Sequence, residues 1–200
     1  MERLYWGLIL CLVAACSSSS EHSNTNDTAD TVDDSSTPRD TGERDPVRDL
    51  DPDKLPSTAT PCRSPELMYV KEVFDGDTIK VEGKWGGESV RLIGIDTSEM
   101  DWQSNQHECW AKEAMDAISE KILQKWVWLT FDATCEDDFD RTLAYVHRDT
   151  DIEGFIQRSL LRAGHAESYH INPNTHHKAL FEADESFAKR EDLGRWGACP

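Results

Sequence analysis

The stretch from Asp75 to Glu99, DGDTIKVEGKWGGESVRLIGIDTSE, constrains the fold of this 200-residue chain more than any other. Asp75-Gly76-Asp77-Thr78 is a turn sequence: glycine supplies a positive φ, and an aspartate bonds back to its own main chain. Thr78 to Val81 then alternates at strand period, Lys84-Trp85-Gly86-Gly87 reverses the chain, and Val90 to Ile95 returns. Such a hairpin gathers Asp77, Arg91, Asp96 and Glu99 in one neighbourhood. Three carboxylates and a guanidinium there suit a hard cation and a phosphate. Arg91 and Asp96 are five residues apart, so a straight strand would put them on opposite faces. A bulge at Gly94, or a bend where the strand ends, is required.

Residues 1–15 read as an export signal, with Arg3, an apolar run from Leu4 to Val13, and small residues after it. The run is too short to span a bilayer. Val13-Ala14-Ala15-Cys16 resembles the lipobox of bacterial lipoproteins, which makes Cys16 the expected lipidated residue. An ordinary secretory signal with an incidental cysteine is the alternative. The lipobox reading puts the protein in the cell envelope as a lipoprotein, held to the outer membrane or cell surface and facing the periplasm or the outside. Residues 16–61 then form a tether rich in Ser, Thr, Asp and Pro. Between Ser17 and Pro61 stand eleven acidic and four basic residues and few large apolar ones, so the segment cannot offset its ordering entropy.

Residues 62–200 are long enough for one domain. With 27 acidic and 16 basic residues they carry a net charge of about −11. That argues against a nonspecific nucleic-acid binder working through a broad basic surface. It leaves room for an enzyme that grips one phosphate locally. Cys62, Cys109, Cys135 and Cys199 are an even set in an exported chain, which points to disulfides. Three pairings are possible. Cys109–Cys135 with Cys62–Cys199 is the preferred one, since a helix and its antiparallel return strand would join the first pair and the second would tie the ends. Zinc is the weaker alternative, for no CxxC or close Cys/His spacing occurs.

Along the domain, Leu67 to Phe74 is a strand preceding the hairpin. Asn105 with Glu108 has the form of a capping box. It opens a helix whose face carries Trp110, Ala114, Ala117, Ile118 and Lys121 and which ends near Gln124. Trp126 to Phe131 and Arg141 to His147 are strands, joined through the acidic turn Glu136-Asp137-Asp138. Ile152, Phe155, Ile156, Ser159, Leu160 and Ala163 mark a second helix stopped by Gly164. A third, about Thr175 to Asp192, buries Leu180, Phe181, Phe187 and Ala188. Five short strands with interposed helices suit an α+β, mostly β, domain: a five-stranded OB-fold barrel with three helices.

Taken in order, several motifs carry a family resemblance. They are Asp75-Gly76-Asp77-Thr78, Arg91 to Glu99 (RLIGIDTSE), Glu113-Ala114, and Asp138 to Val146 (DFDRTLAYV), with Asn172-Pro173 and Gly194-Arg195-Trp196-Gly197 as weaker support. Over Val70 to Trp196 the chain resembles the staphylococcal nuclease, or thermonuclease, family. That resemblance implies a calcium-dependent hydrolase of DNA and RNA, an endonuclease or exonuclease that leaves 3′-phosphate ends. It implies Ca²⁺ held by Asp77, Asp96 and the carbonyl of Thr97, with Glu99 as general base for water and Arg91 and Arg141 on the scissile phosphate. Tyr169 is the candidate substrate-contacting tyrosine. Oxygen ligands suit Ca²⁺, and guanidinium forks suit a bipyramidal phosphorus. The chain departs from the family pattern at Ser98, Phe139 and Asp140, where Pro, Tyr and Gly are common. Asp140 is expected to pair with Arg141 and blunt it. The implied partners are single-stranded or flexible nucleic acid and, through the anchor, a membrane, with the protein a monomer. The rival reading is a catalytically weak or inactive OB-fold module that binds nucleic acid or protein and is anchored in the cell envelope. The remaining conspicuous residues read blandly: His176-His177 and Glu136-Asp137-Asp138 as solvated faces, Trp126 and Trp128 as barrel packing. Trp102 and Trp110 lie near the active loop, where either could stack on a base.

Overall fold

The computed structural model describes residues 45–84, 86–104 and 106–200. The signal, Cys16 and most of the tether lie outside them. The alternation in the sequence becomes β1 (Glu66–Val73), β2 (Thr78–Gly83) and β3 (Gly86–Leu92), then a two-residue β4 (Ile95–Asp96). Helix α1 (Ala111–Ile122), β5 (Trp126–Thr130), β6 (Thr142–His147) and α2 (Ile156–Arg162) follow. The chain ends with β7 (Glu167–Ser168), α3 (Lys178–Arg190) and the single turn α4 (Arg195–Ala198). Five strands close a barrel in the order β1-β2-β3-β6-β5, and β4 pairs with β7 beside it. All barrel pairings are antiparallel except β3 with β6. The expected five-stranded barrel with three principal helices is therefore what forms.

The barrel is filled by Val70, Ile79, Val81, Val90, Leu92, Val127, Leu129 and Val146, all buried. Helix α1 lays Ala114, Ile118 and Ile122 against it, as the apolar stripe requires. Helix α2 is clamped to α3 by the buried Asp184, whose carboxylate accepts from Arg158 at 2.7 and 3.1 Å and from Arg162 at 3.0 Å.

Several expectations are corrected. Helix α1 starts at Ala111 behind a left-handed Trp110 (φ 74°), well after the supposed capping box. Glu108 turns its carboxylate to the amide of Glu99 instead (3.0 Å), and Asn105 lies outside the described residues. The disulfides are Cys62–Cys135 and Cys109–Cys199, the reverse of the preferred pairing. The Cys62 amide donates to the Asp132 carbonyl at 2.8 Å, which lays the segment before β1 beside the β5–β6 connection. Cys109 lies at the start of α1, and the neighbouring Trp110 reaches His165 (3.0 Å), one residue from the Gly164 carbonyl that receives the Arg195 amide (2.9 Å). That brings Cys109 to the chain's end.

The tether also stops earlier than Pro61. Two 3₁₀ turns, Pro46–Asp49 and Pro52–Lys54, lie on the barrel with Val47 and Leu55 buried. Trp126 and Trp128 point outward from β5 into this strap, not into the barrel. Trp128 donates to the Val47 carbonyl (2.9 Å), and the Arg48 guanidinium lies 4.9 Å from the Trp126 ring. Asp45 is fixed by Arg148 at 2.6 Å. His177 is not solvated either: it is buried edge-on against Tyr145 and Phe155, at ring separations of 4.6 and 5.2 Å.

Candidate active site

The Asp75 side chain builds the opening turn, accepting from the amides of Asp77 (2.9 Å) and Thr78 (2.6 Å). Gly76 does not take the expected positive φ; glycine is needed for space instead, since a Cβ there would stand 2.7 Å from Thr97 and 2.9 Å from Ala114, where the turn packs beneath the end of β4 and onto α1. β2 and β3 register Thr78 opposite Arg91, which sets Asp77 beside the guanidinium. Gly94 supplies the required bend: its φ is +82°, and a Cβ there would lie 2.6 Å from the Phe181 ring. Beyond that bend β4 turns Asp96 back to Arg91, as the five-residue spacing demands.

Arg91 is the hub. It contacts Asp77 Oδ1 at 3.0 Å and Asp96 Oδ1 at 2.7 Å, and donates to the carbonyls of Leu92 (3.1 Å) and Ile95 (2.9 Å). Asp77 is buried. Its other oxygen accepts from the amide and hydroxyl of Thr97 at 2.9 and 3.1 Å. Burial pushes the Asp77 carboxyl up to about 7; Arg91 pulls it down, while Asp75 and Asp96 add repulsion. Glu99 is exposed, yet its carboxyl is also raised, by desolvation first and then by Asp75 and Asp96. Ser98, the departure from proline, donates its hydroxyl to the Cys109 carbonyl at 2.6 Å.

Arg141 comes from the loop between β5 and β6. Its counterion is Asp137, not Asp140: Asp137 accepts from the Arg141 amide (2.9 Å) and Nε (2.7 Å), and from the Phe139 amide (2.9 Å). Burial raises the Asp137 carboxyl, but these bonds outweigh it and hold it below the usual range. Asp140 serves the backbone, taking φ +59° where the family pattern has glycine. Asp137 was legible as an i, i+4 partner of Arg141, but the surrounding run of acids masked it.

Arg91 and Arg141 line one cleft of about 520 Å³. Tyr169 stands on its wall, placed by its amide's bond to the Gly94 carbonyl (3.0 Å). Trp102 stays exposed, whereas Trp110 is spent on His165, stacked at 6.0 Å. Among the described residues no three His, Cys, Asp or Glu side chains converge closely enough to hold a metal as they stand. The donor set nonetheless fits a hard cation. Asp77 and Asp96 both bring carboxylate oxygens to Arg91, Glu99 follows three residues on, and all three are the hard oxygen donors that such an ion takes.

A small closed barrel with two arginines in one cleft, one of them in a carboxylate cage, defines a protein built to handle a phosphate. Residues 89–198 match the model of the staphylococcal nuclease homologue family, and the chain belongs to that family. It is 30% identical over 131 residues to a thermonuclease of Staphylococcus intermedius, covering 66% of this chain and 76% of that protein. It is 32% identical over 131 residues to the SPbeta prophage-derived endonuclease YokF of Bacillus subtilis, covering 64% of this chain but 43% of that protein. With endonuclease YncB of the same organism it shares 30% identity over 131 residues, covering 64% and 61%.

Proposed function

We propose that the protein is a Ca²⁺-dependent nuclease that hydrolyses phosphodiester bonds of DNA and RNA and leaves 3′-phosphate ends. The observation that carries this reading is the convergence of Arg91 and Arg141 on one cleft beside the Asp77–Asp96–Glu99 carboxylates. Asp77 and Asp96 would hold Ca²⁺ through carboxylate oxygens and Thr97 through its carbonyl. When bound, the ion supplies charge neutralisation and Lewis acidity toward the phosphate. The two guanidiniums grip the scissile phosphate and stabilise the extra charge of the pentacoordinate transition state. For this, Arg91 exchanges part of its contact with Asp96, and Arg141 part of its contact with Asp137, for phosphate oxygens. Glu99 takes the proton of the attacking water, and its raised carboxyl brings it closer to a useful base strength at neutral pH. Tyr169 lies against the sugar or base.

Release from an export signal over residues 1–15 and lipidation at Cys16 would set a monomeric enzyme on the outer membrane or cell surface. Two disulfides support an oxidising compartment. The reading as a weak or inactive binding module draws on the same Asp137–Arg141 contact, which holds the second arginine at rest. Oxidised protein incubated with single-stranded DNA decides between them. Cleavage in Ca²⁺ that stops with chelator is expected, and intact DNA in both arms would sink the nuclease reading.

A further inference from the structure

The charge around the cleft does not continue beyond one phosphate. Arg91 and Arg141 are the cationic residues that line it, and each is already tied to carboxylates. The rest of the charged wall is Glu136, Asp137 and Asp138, followed by Asp140. Glu136, Asp138 and Asp140 are exposed, and among the described residues no lysine or arginine makes an ion pair with them. A nucleic-acid strand brings one negative charge for every ~3.4 Å of rise. A second phosphate on this side therefore meets carboxylates. Of the six large hydrophobic side chains exposed on the described surface, Phe139, Tyr169 and Ile171 border this same cleft. They offer contact to uncharged sugar and base, where the acids repel phosphate.

We propose that this wall makes the enzyme selective for phosphodiesters with few flanking charges: dinucleotides, short oligonucleotides and strand ends, in preference to the interior of a long polymer. The inference rests on the nuclease reading and names the substrate class of that site. It also reverses an ordinary salt effect. A protein that binds a polyanion through cations loses affinity as salt rises. Here, the added phosphates of a polymer meet like charge, and screening relieves the repulsion.

The test compares a thymidine dinucleoside monophosphate with a single-stranded 30-mer at saturating free Ca²⁺, from 20 to 200 mM KCl. The expected result is a kcat/KM per scissile bond several-fold higher for the dinucleotide at low salt, with the 30-mer value rising as KCl is added. Glu136→Lys/Asp138→Lys should raise the 30-mer to dinucleotide ratio by about tenfold, as unit-charge reversals at several ångströms imply, and turn the salt slope negative. Fluorescence anisotropy of a labelled 30-mer in chelator gives a readout apart from turnover: binding should tighten in the double variant and not in Glu120→Lys, which lies away from the cleft. Preference for the 30-mer with a falling salt slope, or an unmoved ratio in the variant, overturns the proposal while leaving the nuclease reading intact. If neither substrate is cut, both fall.

Discussion

The two arginines of the cleft are held in opposite ways. Arg91 sits on a barrel strand, half-sunk among two carboxylates and two carbonyls, and its position follows from β2–β3 register. Arg141 ends a loop, is held by one side chain, and leans on the exposed Phe139 ring at 5.5 Å. The first belongs to the fold. The second is placed by a local turn that Cys62–Cys135 closes from behind. The difference teaches that a shared proposed role on a phosphate need not mean equal roles in stability.

Substitution separates the two most sharply. Arg91→Ala and Arg141→Ala should each cut kcat about 10³-fold or more, as loss of a transition-state donor in a preorganised site does. Denaturant unfolding should divide them. Arg91→Ala leaves Asp77 buried beside Asp75 without its cation and should cost about 3 kcal/mol. Arg141→Ala breaks a partly exposed pair and should cost about 1 kcal/mol or less. Equal losses of stability would break the comparison.

Cysteine replacement comes next. Cys62→Ser/Cys135→Ser should lower stability by about 2–4 kcal/mol, since the bond closes a long loop with a sequence separation of 73. It should also raise KM, because Arg141's loop loses its rear attachment. Cys109→Ser/Cys199→Ser should cost similar stability while leaving Arg141's loop in place, which hydrogen exchange at Phe139 and Arg141 would read. Identical exchange in both variants would sink that assignment.

A third measurement uses the packed side of β6. Burial holds His147 down to about 3 and His177 down to about 4. Their folded values lie below the unfolded value of about 6.5. The stability they confer is therefore present above pH 6.5 and is lost as pH falls toward 4. Wild type should lose about 1 kcal/mol more per pH unit than His147→Gln between pH 6 and 5. Parallel melting curves would refute it. The smallest effect belongs to Asp140→Gly, which relieves a left-handed aspartate and should gain about 0.5–1 kcal/mol with turnover nearly unchanged. A large gain in turnover would restore Asp140 as the brake on Arg141.

What was legible in the sequence is what local chemistry determines. The turn at Asp75–Thr78 and the alternation of β2 and β3 need only near neighbours, and the Arg91–Asp96 spacing forced a bend that Gly94 supplies. The disulfide partners were not legible, because they depend on where α4 docks, and that is settled by the contact of Gly194 with Gly164, which lies far in sequence from both Cys109 and Cys199. The strap was hidden by composition: Val47 and Leu55 are two apolar anchors in a polar run, too few to register as a pattern. Asp137 and Asp140 looked alike as letters. Backbone conformation separates them, giving one the guanidinium and the other the turn. His177 looked exposed beside His176 because the aromatic cluster that covers it comes from Tyr145 and Phe155, on other elements.

Ser98 hands the strand that carries Asp96 and Thr97 on to Cys109, and Cys109 is bonded to Cys199. The support of that strand thus runs through Cys109 to Cys199. During synthesis the support cannot close until Cys199 has left the ribosome and met an oxidant. A chain in which Cys109 and Cys199 are still reduced therefore lacks the covalent brace behind Ser98.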